Sequence, residues 1–388
     1  MRRFFLRLWA FTAIVHVLVF AALREALVRG GARWPTMGAL AVTGVLLALF
    51  KQRVELVRDD RPISGARRVG ELLYYMHWCG AVAAGLLFVL GGALWAIAEG
   101  VAAIARAAGA SGAVIPLTAG GLALGCWIAG LAMGAYGVGV RARRPRVARV
   151  EVAVRGLAEG LDGYTIAQLS DLHVGSFVSR RRADRWVRAA NAEAPDLVAL
   201  TGDYVTSGVA FHEMIADVLA GLRARDGVIA VLGNHDYFGG GEPLASLVKE
   251  RGVVLLRNAR HTVQRGEASL EVAGVDDTWT RRADVEATMR GWEGGRTLIA
   301  LAHDPALFPD LARHGAALVL SGHTHWGQIG VPFASARYNI ARRVFRFSAG
   351  LYRDGDAALY VSPGLGTTGP PVRFGSAPEI TVLVLRRA

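Results

Sequence analysis

Apolar residues in this 388-residue chain follow two rhythms. In the first 140 positions they gather in four long runs, roughly Leu8–Leu23, Trp34–Phe50, Met76–Ala98 and Val114–Val140. A helix that crosses a bilayer needs about 17–25 such residues. The third and fourth runs satisfy that length, and the first two sit near its lower limit. The opening "MRR" would also suit a signal peptide, but three more apolar runs follow. An N-terminal transmembrane region of four helices over residues 1–146 is therefore the expectation. Trp9, Trp34, Trp78 and Trp95 stand near the proposed ends of the runs, where interfacial aromatics belong.

From about Val147 the runs become short, rich in β-branched residues and separated by Gly, Asp and Asn. "RVEVAV", "YTIAQLS", "LVALTG", "VIAVLG", "VVLLRN", "LEVAGV", "TLIALAH", "AALVLSG", "ALYVS" and "ITVLVL" read as strands. Helix-like stretches such as "SRRRADRWVRAANAEA" and "HEMIADVLAGLRAR" lie between several of them. This alternation predicts an α/β domain over residues 147–388 with much of its sheet buried.

Charge separates the same two regions. The formal net charge is +12, which would suit a nucleic-acid partner if the soluble half carried it. Residues 1–150 hold 18 of the 44 basic and 6 of the 32 acidic residues, which accounts for the whole excess; the 26 of each that remain balance. The soluble half thus lacks a basic footprint for a polyanion, and no nucleic acid is expected as partner. Only Lys51 and Lys249 are lysines, so the arginine richness is discounted as genome composition. Cys79 and Cys126 both lie in apolar runs, which argues against a disulfide framework or a thiolate metal site.

The arginines of the first region also indicate its orientation. Arg2, Arg3 and Arg7 precede the first run; Lys51, Arg53, Arg58, Arg61, Arg67 and Arg68 fill the second connection; Arg141, Arg143, Arg144, Arg146 and Arg149 follow the fourth run. The opposite side has only Arg24, Arg29, Arg33 and Arg106. Cytoplasmic loops collect Lys and Arg, so both termini and the whole α/β domain are expected in the cytoplasm, on a bacterial inner membrane. His16, His77 and Glu99 lie in or beside the runs, near proposed ends or alone, and are read as structural or interfacial.

The candidate chemistry lies where the strands end. "YTIAQLS" runs into Asp171 and His173, "LVALTG" into Asp203, and "VIAVLG" into Asn234, His235 and Asp236. "TLIALA" runs into His303, and "AALVLSG" into His323 and His325. Alone, Asp171 or Asp203 would read as a turn or helix cap, "GNHD" as a tight turn and His303 as a satisfied buried histidine. Together they put coordinating groups at the carboxyl ends of five strands, where ligand sites of open α/β sheets form. So many such groups at one sheet edge would repel or stay unsatisfied without cations.

The series D-L-H (171–173), G-D (202–203), G-N-H-D (233–236), His303 and G-H-T-H (322–325) resembles the calcineurin-like metallophosphoesterase superfamily. The resemblance covers residues of about 147–388 and implies a four-layer α/β/β/α sandwich with a two-metal centre. "GHTHWGQI" and the tail "YVSPGLGTTGPPVRFGSAPEITVL" look like the YkuE-like branch of bacterial membrane-associated phosphodiesterases. That branch includes enzymes that split the pyrophosphate of UDP-2,3-diacylglucosamine. The resemblance assigns Asp171, His173 and His325 to a first metal and Asn234, His303 and His323 to a second, with Asp203 bridging them. Many members have a second acidic residue after Gly-Asp, where this chain has Thr206.

Mixed imidazole and carboxylate donors without thiolates suit Mn, Fe, Zn or Co better than Ca or a bare Mg site. Two such divalent ions lower the pKa of a shared water, orient phosphate oxygens and stabilise in-line displacement. His235 falls outside the ligand set and is free to serve the leaving oxygen as a catalytic acid, while Asp236 either orients His235 or caps the turn. The expected activity is that of a membrane-anchored, metal-dependent phosphohydrolase acting on a phosphate ester or lipid-linked pyrophosphate. A non-catalytic metal-binding scaffold and a nuclease rank below it, and a transporter or sensor below those. Residues 331–347, "VPFASARYNIARRVFRF", interleave Phe333, Tyr338, Phe345 and Phe347 with Arg337, Arg342, Arg343 and Arg346. They read either as an ordinary packed loop or as a lip of the site facing the leaflet.

Overall fold

The computed structural model describes residues 2–54, 61–109 and 117–388. Arg58 and Val114 lie outside the described residues, as do the side chains of Arg2, Arg3, Lys51 and Arg53. The chain forms two compact units that divide after Val140, except that the described residues 61–68, with the first turn of the third helix, cluster with the second unit.

The first unit contains α1 (Arg2–Arg29), α2 (Pro35–Val54), α3 (Gly65–Ala107) and α4 (Ala119–Ala135). Among the described residues three stretches are long and apolar enough to cross a membrane, namely Leu6–Arg29, Gly65–Ala107 and Ala119–Arg143; Pro35–Phe50 is a shorter apolar helix. α3 starts at Gly65 rather than Met76, because "GARRVGELLYY" contains no proline and continues the helix ahead of the apolar run. Glycines let α3 and α4 approach backbone to backbone. A methyl group on Gly130 would strike the Gly80 carbonyl, and one on Gly134 that of Met76. Close approach through small residues replaces the hydrophobic effect as the source of packing between apolar helices in lipid. His16 and His77, read separately in the sequence, meet with their Nε2 atoms 3.2 Å apart, and His16 Nδ1 lies 2.8 Å from the Thr12 carbonyl. Glu99 lies 3.9 Å from Arg106.

The second unit is built on two mixed sheets. The strands of the first are β1 (Arg146–Val154), β2 (Thr165–Leu169), β3 (Leu197–Thr201), β4 (Val228–Val231), β5 (Val254–Leu255) and β12 (Glu379–Arg387), in the order β1-β12-β2-β3-β4-β5. Those of the second are β6 (Ala259–Arg265), β7 (Ala268–Val275), β8 (Thr297–Ala302), β9 (Leu318–Ser321), β10 (Gly350–Asp354) and β11 (Ala357–Val361), in the order β10-β11-β9-β8-β7-β6. Helices α5 (Arg180–Ala192), α6 (His212–Leu219), α7 (Gly241–Glu250), α8 (Val285–Met289) and α9 (Phe308–Arg313) occupy the crossovers.

Three apolar cores show what each sheet covers. Val198, Leu200 and Ala230 pack with Trp186, Ile215 and Leu244 from α5–α7. On the other face Ile166, Leu197 and Ile229 meet Val272, Ile299 and Leu318 of the second sheet. The far face of that sheet, with Leu298, Ala300 and Val319, packs on Met289, Phe308 and Leu311 of α8 and α9. Burial on both faces is why the central strands read as continuous apolar runs. Strands β6 and β10, absent from the sequence reading, are the two edges of the second sheet. Their residues are mostly half-buried or exposed, so "ARHTVQR" and "GLYRD" lack the apolar signature of the interior strands.

The C-terminal strand is fastened by a wholly buried carboxylate. Glu379 accepts from Tyr360 Oη at 2.6 Å and Thr381 Oγ1 at 2.8 Å, and pairs with the half-exposed Arg146 at 2.6 Å. Replacing it orphans two buried hydroxyls, each worth about 1–3 kcal/mol. Glu379→Ala is expected to lower the thermal midpoint of the purified protein more than Arg146→Ala, whose loss leaves those hydroxyls bonded. Equal losses would assign the stabilisation to the ion pair instead.

Candidate metal centre

Strands β2, β3 and β4 are parallel neighbours in the first sheet, as are β8 and β9 in the second. Their carboxyl ends meet across the gap between the sheets: Gln168 Nε2 donates to the Ser321 carbonyl at 2.9 Å, and His303 Nδ1 to that of Thr201 at 2.7 Å. All nine residues singled out as ligands or catalysts therefore arrive at one edge.

They form two linked groups. In one, His325 Nε2 lies 3.3 Å from Asp171 Oδ1 and 3.0 Å from His173 Nε2, which is 3.6 Å from Asp203 Oδ2. In the other, Asp203 Oδ2 lies 3.2 Å from His303 Nε2, and His323 Nδ1 lies 3.3 Å from that nitrogen and 3.1 Å from Asn234 Oδ1. Asp203 touches both groups through one oxygen, while its Oδ1 accepts the His235 amide at 2.8 Å. His235 also brings a ring nitrogen within 4.8 Å of His173 and Asp203 donor atoms.

The backbone is forced to deliver these side chains. Asp171, His173, Asp203, His323 and His325 all have positive φ, from 44° to 70°. Non-glycine residues are held there at a cost of about 1–3 kcal/mol each. Glycines make the remaining space: a methyl on Gly322 would overlap Ser170 and the Asp171 carboxylate, and one on Gly233 the Asp203 carboxylate.

The electrostatics ask for cations. Asp171 and Asp203 have almost no contact with solvent. Burial raises the Asp171 carboxyl to about 6. At His303 burial opposes the charged form, but the Asp203 carboxylate overrides it and raises the ring to about 10. The cause is visible in the geometry. With Nδ1–H donated to Thr201, the Nε2 lone pair faces a carboxylate oxygen, an arrangement that needs a proton or a metal ion between them. Buried His173, by contrast, is lowered to about 3 and presents a neutral imidazole, the form a metal binds. His173 Nδ1 and His323 Nε2 have no hydrogen-bond partner among the described residues. The residues fit divalent metal ions, and His, Asp and Asn donors without sulfur fit the harder transition ions.

Asp236 and His235 part company in the structure. The Asp236 carboxylate accepts the amides of Gly233 and Asp203, each at 2.9 Å, and those of Tyr204 at 2.7 Å and Val205 at 3.3 Å. It is the clasp between the β3 and β4 ends, the turn-capping alternative for this residue. The His235 ring is oriented instead by the Thr206 carbonyl, 2.6 Å from Nδ1, so Thr206 acts through its main chain.

Aromatic rings surround the histidines at the mouth. Trp279, 63% exposed, lies 5.5 Å from the His323 ring centroid, Phe345 lies 5.3 Å from it, and Phe238 4.8 Å from that of His235. Trp279 and Phe238 escaped the sequence reading because neither lies in an apolar run: Trp279 stands among polar residues and Phe238 between Tyr237 and three glycines. Within 331–347 the arginines are exposed, as are Phe333 and Tyr338, whereas Phe347 packs on Phe308 in the core. Ile340 and Val344 add to the exposed apolar surface. A further residue that sequence reasoning missed is Arg373, wholly buried beside His325. Its only sequence signal was its place in the Gly- and Pro-rich tail.

Comparison with known proteins agrees with this geometry. The pattern of the Calcineurin-like phosphoesterase family matches residues 164–327. A "Transmembrane protein with metallophosphoesterase domain" of Danio rerio is 35% identical over 267 residues, which are 65% of this chain and 60% of that protein. The uncharacterized metallophosphoesterase YkuE of Bacillus subtilis is 31% identical over 273 residues, 69% of this chain and 94% of YkuE. An uncharacterized metallophosphoesterase of Aquifex aeolicus is 30% identical over 253 residues, 62% of this chain and 92% of that protein. Matched motifs, relatives at 30–35% identity and a shared edge of His and Asp side chains lead to one conclusion: the chain belongs to the calcineurin-like metallophosphoesterase family.

Proposed function

We propose that the protein is a membrane-anchored phosphohydrolase that holds two divalent ions and cleaves a phosphodiester or pyrophosphate bond of a lipid-linked substrate. The observation that supports it most is the buried Asp203, one oxygen of which faces an imidazole nitrogen of each group. In this reading Asp171, His173 and His325 hold one ion, Asn234, His303 and His323 the other, and Asp203 both. Divalent ions held there, such as Mn, Fe, Zn or Co, would supply Lewis acidity for the attack of water at phosphorus. His235, fixed through Nδ1 by the Thr206 carbonyl, presents Nε2 to the leaving oxygen as acid. Asp236 keeps the β3 and β4 ends in register. The three cores support a four-layer α/β/β/α order, and Pro35–Phe50 would be the shortest of four spans.

Asp203→Asn is expected to abolish hydrolysis of bis-p-nitrophenyl phosphate and to lower metal content. His235→Ala should lose turnover by about 10²–10⁴-fold yet keep its metal. Metal loss as severe in His235→Ala as in Asp203→Asn would make His235 a ligand instead.

The arginine distribution supports a catalytic unit on the cytoplasmic side of a bacterial inner membrane. Fusions at the C-terminus should give a fluorescent cytoplasmic reporter and inactive alkaline phosphatase. The opposite pair of results would reverse the topology.

The exposed apolar and basic residues of 331–347 support a lipid-facing lip at the mouth. An arginine close to an anionic leaflet contributes about 1 kcal/mol, and Phe333, Tyr338, Ile340 and Val344 would reach the acyl boundary. Serine at Arg342, Arg343 and Arg346 together should impair turnover of a bilayer-embedded substrate such as UDP-2,3-diacylglucosamine while sparing bis-p-nitrophenyl phosphate. Equal loss on both would leave no case for the lip.

A further inference from the structure

Arg373 is among the largest fully buried side chains of the protein, and no carboxylate pairs with it among the described residues. Burying a charge without an ionic partner is costly, so its surroundings must answer for it. Its fork is filled by the main chain of one loop. Nη2 donates to the carbonyls of Pro363 at 2.7 Å, Gly364 at 3.2 Å and Gly366 at 2.7 Å, and Nε donates to Gly366 at 3.1 Å. Nη1 reaches Ser376 Oγ at 3.5 Å. Nη2 also lies 3.4 Å from His325 Nδ1.

The loop it gathers is pressed against the end of β2. The Leu365 amide donates to the Ser170 carbonyl at 3.0 Å and the Gly366 amide to that of Asp171 at 2.7 Å. A methyl on Gly364 would strike the Asp171 side chain, and one on Gly366 the Leu172 carbonyl. With no side chain between them, any shift of residues 363–366 is passed to Asp171 directly. Arg373 therefore touches both halves of one group, Asp171 through the loop and His325 through its ring.

We propose that Arg373 is a positioning residue for the Asp171–His173–His325 group: it locks the 363–366 loop onto Asp171, abuts His325, and so sets the affinity of that one ion position. The inference rests on the two-ion reading above. A guanidinium presents five donors in a fixed plane, which a lysine ammonium cannot reproduce across three carbonyls. The chain thus spends a buried charge on geometry that a smaller cation could not hold.

The test is Mn²⁺ binding to the full-length protein purified in detergent, measured as equivalents retained against graded chelator. Wild type should retain two equivalents; retention of fewer would refute the two-ion reading before any variant is compared. Arg373→Met should weaken one equivalent about 10–100-fold and leave the other unchanged, and it should lose the equivalent that His325→Ala loses. Added to His325→Ala, it should cause no further loss of the remaining ion. Arg373→Lys should weaken the same equivalent, which keeps the question open to measurement if the methionine variant does not fold. Wild-type binding by a folded Met or Lys variant, equal weakening of both equivalents, or failure of both variants to fold would each overturn the proposal.

Discussion

Asp171, Asp203 and Asp236 lie almost wholly out of water within one small volume, and everything around them is arranged to make that tolerable. Each carboxylate is treated differently. Asp236 is satisfied by backbone amides from both adjoining strand ends and needs no ion. Asp171 has the Ser170 hydroxyl at 2.6 Å and the His323 amide at 3.1 Å, and still faces His325. Asp203 has one oxygen on an amide and the other between two imidazoles whose hydrogen-bonding leaves room for positive charge. The unmet demand is therefore localised at Asp171 and Asp203, where the imidazoles converge. Without cations the edge would hold buried like charges beside lone pairs; with them, the same atoms become a ligand set.

That demand also accounts for the backbone. Turning side chains back over the sheet edge just after the strands is done mostly with left-handed residues, the conformation of five of the seven proposed ligands. At about 1–3 kcal/mol each, such strain persists only if surrounding structure over-determines it. The surrounding structure does so here. The Asp236 clasp ties β3 to β4, Gln168 ties β2 to β9, and the glycines at 233 and 322 let the strand ends close to contact. Burying both sheets on both faces supplies the rigidity from which these ties work.

The interior of this arrangement was legible in the sequence because its two signals are strong ones. Strands buried on both faces appear as unbroken apolar runs, and polar coordinating residues at their ends interrupt those runs abruptly. The edges were not legible: β6 and β10 face solvent on one side, so their composition matches that of loops. Contacts across long chain separations were equally hidden. His16 meets His77, Thr206 orients His235 with a carbonyl that any residue would provide, and Arg373 sits among glycines with no periodic pattern to mark it. Asp236 shows the limit from the other direction. Its place beside His235 in "GNHD" invites a shared role, but consecutive side chains on a tight turn diverge, and its carboxylate points back to the amides.

A polar centre with an apolar rim constrains what can enter. Inside, every donor is imidazole, carboxylate or amide; Trp279, Phe238 and Phe345 stand against the same histidines, and in the segment that carries Phe345 the side chains of Phe333, Ile340 and Val344 face solvent. A small hydrophilic phosphate needs only the centre and gains nothing from the rim. An amphiphile with its phosphate next to its apolar portion would use both at once, burying exposed apolar surface at about 25 cal/mol per Å² while the anion meets the metals. The balanced charge of residues 151–388 fits the same picture, since attraction of the anion is left to the centre itself. Binding energy gathered at the rim, away from the reacting phosphorus, would then serve to orient the scissile bond toward His235.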